Sequence, residues 1–167
     1  MFEPAPLNAE FQSLYRYNSS IRSLILKVKI EGNYRALACL KYLFLNSPLS
    51  DEMVEKCDRI IPAPSSLWSR LRGRIDLAWM LGDSLAGTHK LSLRPAPLQL
   101  HWQLKKRSQL SNREKLASCS PLDETAGEKS VLIVDDVVTS GYTLRRTATA
   151  LKGENCRFLT LASAFHT

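Results

Sequence analysis

The chain has 167 residues, 44% of them hydrophobic and 23% charged, which is enough for one α/β core and too little for two ordinary domains with linkers. No apolar run approaches the roughly 18 residues of a membrane span, and Met1-Phe2-Glu3-Pro4 lacks the basic-then-apolar order of a signal peptide, so a cytoplasmic protein without a membrane span is expected. The net charge of +7 favours an anionic partner, either nucleic acid or a pyrophosphate-bearing substrate.

The positive excess is uneven: between Lys56 and Lys115 twelve Lys and Arg face four acids, a local balance of +8. The four cysteines, Cys39, Cys57, Cys119 and Cys156, form no C-x-x-C pair, which argues against a zinc ribbon or a disulfide framework. They read as reduced thiols, with Cys39 and Cys156 expected to be buried.

In chain order, residues 1 to 18 read as an irregular lead. Ser19-Ser20 then opens a helix whose apolar stripe is Ile21, Leu24, Ile25 and Val28, with Arg22, Lys27 and Lys29 on the more exposed side. Gly32-Asn33 breaks it, and a second helix is predicted from Tyr34 to about Leu45, bounded by Asn46-Ser47-Pro48. Cys57 to Pro62 reads as a short buried strand ending in the turn Pro62-Ala63-Pro64.

Arg70, Arg72 and Arg74 follow, leading to Asp76 and a helix through Leu77, Met80, Leu81 and Leu85 that Gly87-Thr88-His89 closes. Asp76 suits either the edge of a substrate pocket or the solvated start of that helix. Trp68 and Trp79 read as packing groups. A strand is predicted over Leu98 to Trp102, then a basic stretch with Lys105, Lys106 and Arg107. His89, His101 and His166 lack ligand spacing and read as structural.

The most informative stretch is Val131-Leu132-Ile133-Val134-Asp135-Asp136-Val137-Val138-Thr139-Ser140-Gly141-Tyr142-Thr143. Four apolar residues read as a strand buried on both faces, with two acids at its carboxyl end. A hydroxyl and glycine turn leads into a helix marked by Leu144, Ala148 and Leu151, with Gly153 as its stop. Turn amides at a helix N-terminus, with the hydroxyls of Thr139, Ser140 and Thr143, suit a phosphate, and Gly141 allows close approach. Two carboxylates would repel that phosphate, so Asp135 and Asp136 suit sugar hydroxyls or a Mg²⁺-bearing part of the same ligand. A sugar phosphate satisfies both halves. The plain alternative is a strand-turn-helix in which Thr139 caps the helix and the acids are solvated. A final strand is predicted over Cys156 to Phe165, joined through a right-handed crossover.

This stretch resembles the phosphoribosyl pyrophosphate (PRPP) motif of type I phosphoribosyltransferases: apolar run, two acids, Thr/Ser-Gly-x-Thr turn. The opening Tyr-x-Tyr, Ile-x-x-Leu-Ile-x-x-x-Lys and Gly-x-Tyr order, the Pro-x-Pro turn and the basic stretch before Gln109-Leu110-Ser111 also resemble the ComF (GntX) family. Arg74-Ile75-Asp76 departs from that family's Phe-Asn-Gln. The resemblance implies a type I phosphoribosyltransferase fold, α/β, mainly a parallel sheet with helices on both faces. It implies one domain over residues 1–167, with residues 1–50 as a helical extension and no N-terminal zinc module.

By position, Asp135 and Asp136 would hold the ribose as the catalytic pair, and Thr139, Ser140, Gly141, Tyr142 and Thr143 would cradle the 5-phosphate. Ala63, Pro64, Ser65 and Ser66 with Arg70, Arg72 and Arg74 would receive pyrophosphate, and Lys105, Lys106 and Arg107 would belong to a mobile closing loop. The implied activity transfers the phosphoribosyl group to a nitrogen nucleophile. Mg²⁺ would be carried by PRPP, with no direct protein metal ligand. The acceptor is not identified. The competing reading is a non-enzymatic protein of DNA uptake that senses PRPP or binds single-stranded DNA or the competence machinery; a homodimer is admitted by both.

Overall fold

The computed structural model describes residues 11–65, 73–96, 130–151 and 155–164. Its five strands are β1 (Phe11–Arg16), β2 (Arg59–Pro62), β3 (Ser92–Leu93), β4 (Ser130–Val138) and β5 (Asn155–Ser163). They form one sheet in the order β1-β5-β4-β2-β3, and every pairing is parallel. The helices are α1 (Ser19–Glu31), α2 (Tyr34–Leu45), α3 (Pro48–Glu55), α4 (Leu77–His89) and α5 (Tyr142–Ala150).

Strand alternation sends successive side chains to opposite faces, and the core divides accordingly. Ile60, Leu132, Val134, Leu159 and Leu161 pack with residues of α1, α2, α3 and α4. Ile61, Val131, Ile133, Cys156 and Phe158 pack on the other face with Leu144 of α5. Helices therefore cover both faces, as the resemblance implies. Each fully buried large side chain, such as Phe44 or Phe158, contributes about 1.5–3 kcal/mol relative to exposure.

Local chemistry sets the helix ends. The Asn18 side chain accepts the Ile21 N–H, and Gly32 ends α1 in the left-handed region at φ 65, where glycine carries no Cβ penalty. The Asn33 side chain caps α2 by accepting the Ala36 N–H at 3.0 Å. Within α4, a Cβ added to Gly82 would meet Pro62 Cγ at 3.0 Å, so this glycine lets the helix lie directly on the end of β2.

Several expectations need correction. The lead contains β1, which pairs with β5 from Phe11↔Phe158 to Arg16↔Ser163; its alternation is hidden because all but one of its residues are half-buried. Pro48 starts a third helix rather than only ending the second, as proline does at a first turn. α4 ends at His89 as expected, but Gly87 lies inside its last turn and Lys90, with φ 56, is the cap. Cys39 is exposed, because α2 buries Ala36, Leu37, Leu40 and Phe44. Trp79 is 39% exposed, so it is no core packing group.

Asp76 takes the helix-start role, its carboxylate accepting the Trp79 N–H at 3.2 Å. His89 pairs with Asp51 of α3 at 3.2 Å. Ser66, Trp68, Arg70, Arg72, the strand expected over Leu98 to Trp102, Lys105, Lys106, Arg107, Cys119 and Gly153 lie outside the described residues. No helix among the described residues is long and apolar enough to cross a membrane.

Candidate functional site

β2 and β4 are neighbours in the sheet, in register from Arg59↔Val131 to Pro62↔Val134, so β2 ends beside Val134 while β4 runs on through the two acids to Val138. From β2 the chain passes through α4 to β3 on one side, and from β4 it passes through α5 to β5 on the other. Connections diverging from adjacent parallel strands leave a crevice at their carboxyl ends, where open α/β sheets bind ligands.

Asp135 and Asp136 rise into this region from within β4, which continues to Val138. They are not the solvated strand-end acids of the plain alternative: Asp136 is 6% exposed and forms an ion pair with Lys29 of α1. The two acids are also joined locally, since Asp135 Oδ1 accepts the Asp136 backbone N–H at 2.8 Å. Asp135 stands opposite Thr160 of β5. The Thr160 hydroxyl is buried and has no hydrogen-bond partner among the described residues.

Burial, and then the Asp136 charge and side chain, hold the Asp135 carboxyl well above its ordinary value of 3.8; the Asp136 backbone N–H and Lys29 act in the opposite direction. Desolvation and a like charge both disfavour ionisation of a carboxyl. Two adjacent acids thus meet different surroundings, one paired with an ammonium and the other inclined to keep its proton.

Beyond β4 the turn closes into α5. Gly141, at φ 64, occupies the cap position, and no side chain caps the helix. Thr139 is therefore not its cap. The first intrahelical bond is from the Arg145 N–H to the Gly141 carbonyl at 3.0 Å, so the amides before it have no intrahelical acceptor and face the turn. Tyr142 N–H makes a long contact to Ser140 Oγ at 3.4 Å. The Arg145 guanidinium donates to the Ser140 carbonyl at 2.6 Å, bringing a cation onto the same turn.

Asp135 and residues 137 to 144 line a small hollow of about 30 Å³. Tyr142 borders it but is 38% exposed. A larger open hollow, of about 370 Å³, runs along the outer face of α1 and includes no residue of this motif.

The loop after β2 offers less than the sequence suggests. The Ala63 N–H is already donated to the Val134 carbonyl at 2.7 Å, and proline at 64 has none to give. Ser65 is thus the first loop residue able to turn a donor toward a ligand, and its hydroxyl is buried with no partner among the described residues. Arg74 is exposed.

Sequence reasoning missed Lys29 and Arg145. Lys29 is more exposed than the apolar stripe, as expected, with 35% of its side chain accessible, but it also continues the i, i+4 row of Ile21 and Ile25, both buried, and that spacing brings it to the edge of the packed face. Arg145 had only its position four residues after Gly141 as a signal. Among the described residues there is no group of three or more His, Cys, Asp or Glu that could hold a metal ion.

Residues 99–166 match the family model of the phosphoribosyl transferase domain. No curated protein and no solved structure matches the chain. The matched stretch, less than half of the chain, contains β4, the turn, α5 and almost all that follows, and over these residues the chain is similar to that domain.

Proposed function

We propose that the chain binds PRPP and transfers its 5-phosphoribosyl group to a nitrogen nucleophile, releasing pyrophosphate. The observation that carries this reading is the single hollow shared by Asp135 and the turn at the N-terminus of α5, an acid for sugar hydroxyls beside amides for a phosphate. In this reading the Asp135-Asp136 pair receives the ribose, and residues 139 to 143 receive the 5-phosphate. Ser65, with Arg74 and the arginines before it, meets the pyrophosphate. Mg²⁺ arrives on the ligand and neutralises pyrophosphate oxygens. Lys105, Lys106 and Arg107 close over the bound substrate and exclude water.

The chain's contribution to such a reaction is positioning and electrostatics, because the bond to pyrophosphate breaks as positive charge develops on the sugar. The ComF resemblance and the basic middle segment extend the reading to a role in DNA uptake.

Binding to the folded state raises the melting temperature in proportion to the logarithm of ligand concentration over Kd. PRPP with Mg²⁺ is expected to raise it, and the double variant Asp135→Asn/Asp136→Asn to abolish the rise. A rise that survives in the double variant removes the acids from the site. Single-stranded DNA binding that weakens steeply with salt and ignores PRPP would favour the nucleic-acid alternative.

A further inference from the structure

The two acids of the motif are adjacent in sequence but differently engaged. Asp135 lines the hollow with the phosphate turn, whereas Asp136 is not part of that lining. Asp136 is buried and ion-paired with Lys29, a residue of a helix that precedes the motif by about a hundred positions in the chain. Lys29 is placed by packing rather than by chance of a flexible surface: Ile21, Ile25 and Val28 are buried in the same cluster as Leu132 and Val134 of β4, so docking of α1 on that face of the sheet brings the ammonium beside the acid.

We propose that Lys29 is a positioning residue of the sugar-phosphate site: its ammonium balances and fixes the buried Asp136 carboxylate beside Asp135, so that the acid pair is set for the ribose hydroxyls. The inference rests on the sugar-phosphate reading above and sharpens it. Without a cation beside it, the buried Asp136 carboxylate would carry an uncompensated charge and lose its fixed position. It would also be free to turn toward Asp135, with which it already interacts. With Lys29 in place, the charge of Asp136 is balanced and its carboxylate is held in one position. The helical extension thereby becomes part of the site.

The test uses the full chain with two probes, ribose 5-phosphate and inorganic phosphate, titrated by calorimetry. The wild-type chain is expected to bind both. Lys29→Gln should weaken ribose 5-phosphate by about tenfold or more, as expected when a charge-assisted contact is lost, while inorganic phosphate stays within about twofold. Lys29→Arg should restore sugar-phosphate binding, which a loss of helix packing would not predict. In an Asp136→Asn background, adding Lys29→Gln should change nothing further, because the residue it acts through has gone.

Should Lys29→Gln alone fail to fold, Asp136→Asn and the double variant carry the comparison, as neither leaves a buried carboxylate unpaired. Ribose 5-phosphate binding unchanged by Lys29→Gln, or a further loss in the Asp136→Asn background, overturns the role of Lys29 and leaves the site reading intact. A wild-type chain that binds no ribose 5-phosphate overturns the site reading itself.

Discussion

Between Val131 and Val134, β4 is held by apolar contact on both sides, every side chain fully buried, whereas at Thr139 and Ser140 the same chain is exposed and tied mainly by the Arg145 guanidinium and the first turn of α5. The lower half resists any change of volume. The upper half has little packing to lose, so its residues are free to be chosen for what they bind. The acids sit at the boundary, where burial begins to cost charged groups their ionisation.

Substitutions that separate the two halves follow in order of size. Phe158→Ala removes a fully buried ring that packs with Ile133 and Leu144. It is expected to lower stability by about 3–5 kcal/mol, read as a fall in the urea midpoint at unchanged slope. A loss below about 1 kcal/mol would mean that the second face of the sheet is loosely packed.

Asp135→Asn acts at the boundary and in the opposite direction. The folded chain holds the Asp135 proton to a higher pH than the unfolded chain does. Wild-type stability therefore declines as pH rises from the ordinary carboxylate value of 3.8 through the raised folded value, and then levels off. The asparagine variant lacks this decline. It should melt higher than wild type at neutral pH, by about 2–4 °C for each kcal/mol of relieved charge burial, and the two melting curves should converge below pH 3.8. Parallel curves across the whole range would show that Asp135 ionises as freely folded as unfolded.

Gly141→Ala tests the upper half. At φ 64 an alanine is strained by about 1 kcal/mol, while the space around an added Cβ is ordinary, with Arg145 Nη1 nearest at 3.7 Å. The expected loss of stability is therefore small, and the larger effect should appear in the affinity for inorganic phosphate.

The fold was legible where one local pattern sufficed. Tyr34 to Leu45 is helical as predicted, with both ends marked by asparagine, and the apolar run before the acids is the buried strand that its composition implies. What was hidden depended on partners distant in sequence. Phe11 to Arg16 becomes a strand only because β5 supplies its ladder, and β3 is two residues long, defined only by pairing with β2. The site divides the same way. The turn and its acids announced themselves as a contiguous motif, but Lys29 reaches Asp136 through tertiary packing, and the Ala63 amide is lost to β4 through a bond that no local pattern encodes.

The pairing of β1 with β5 joins the earliest described strand to the latest. A chain emerging from the ribosome must hold Phe11 to Arg16 without its ladder until Asn155 to Ser163 has been made, and a pairing this distant in sequence is slow to form. During that interval an open strand edge is available to neighbouring chains, so vectorial synthesis postpones completion of this edge of the sheet until β5 has been made.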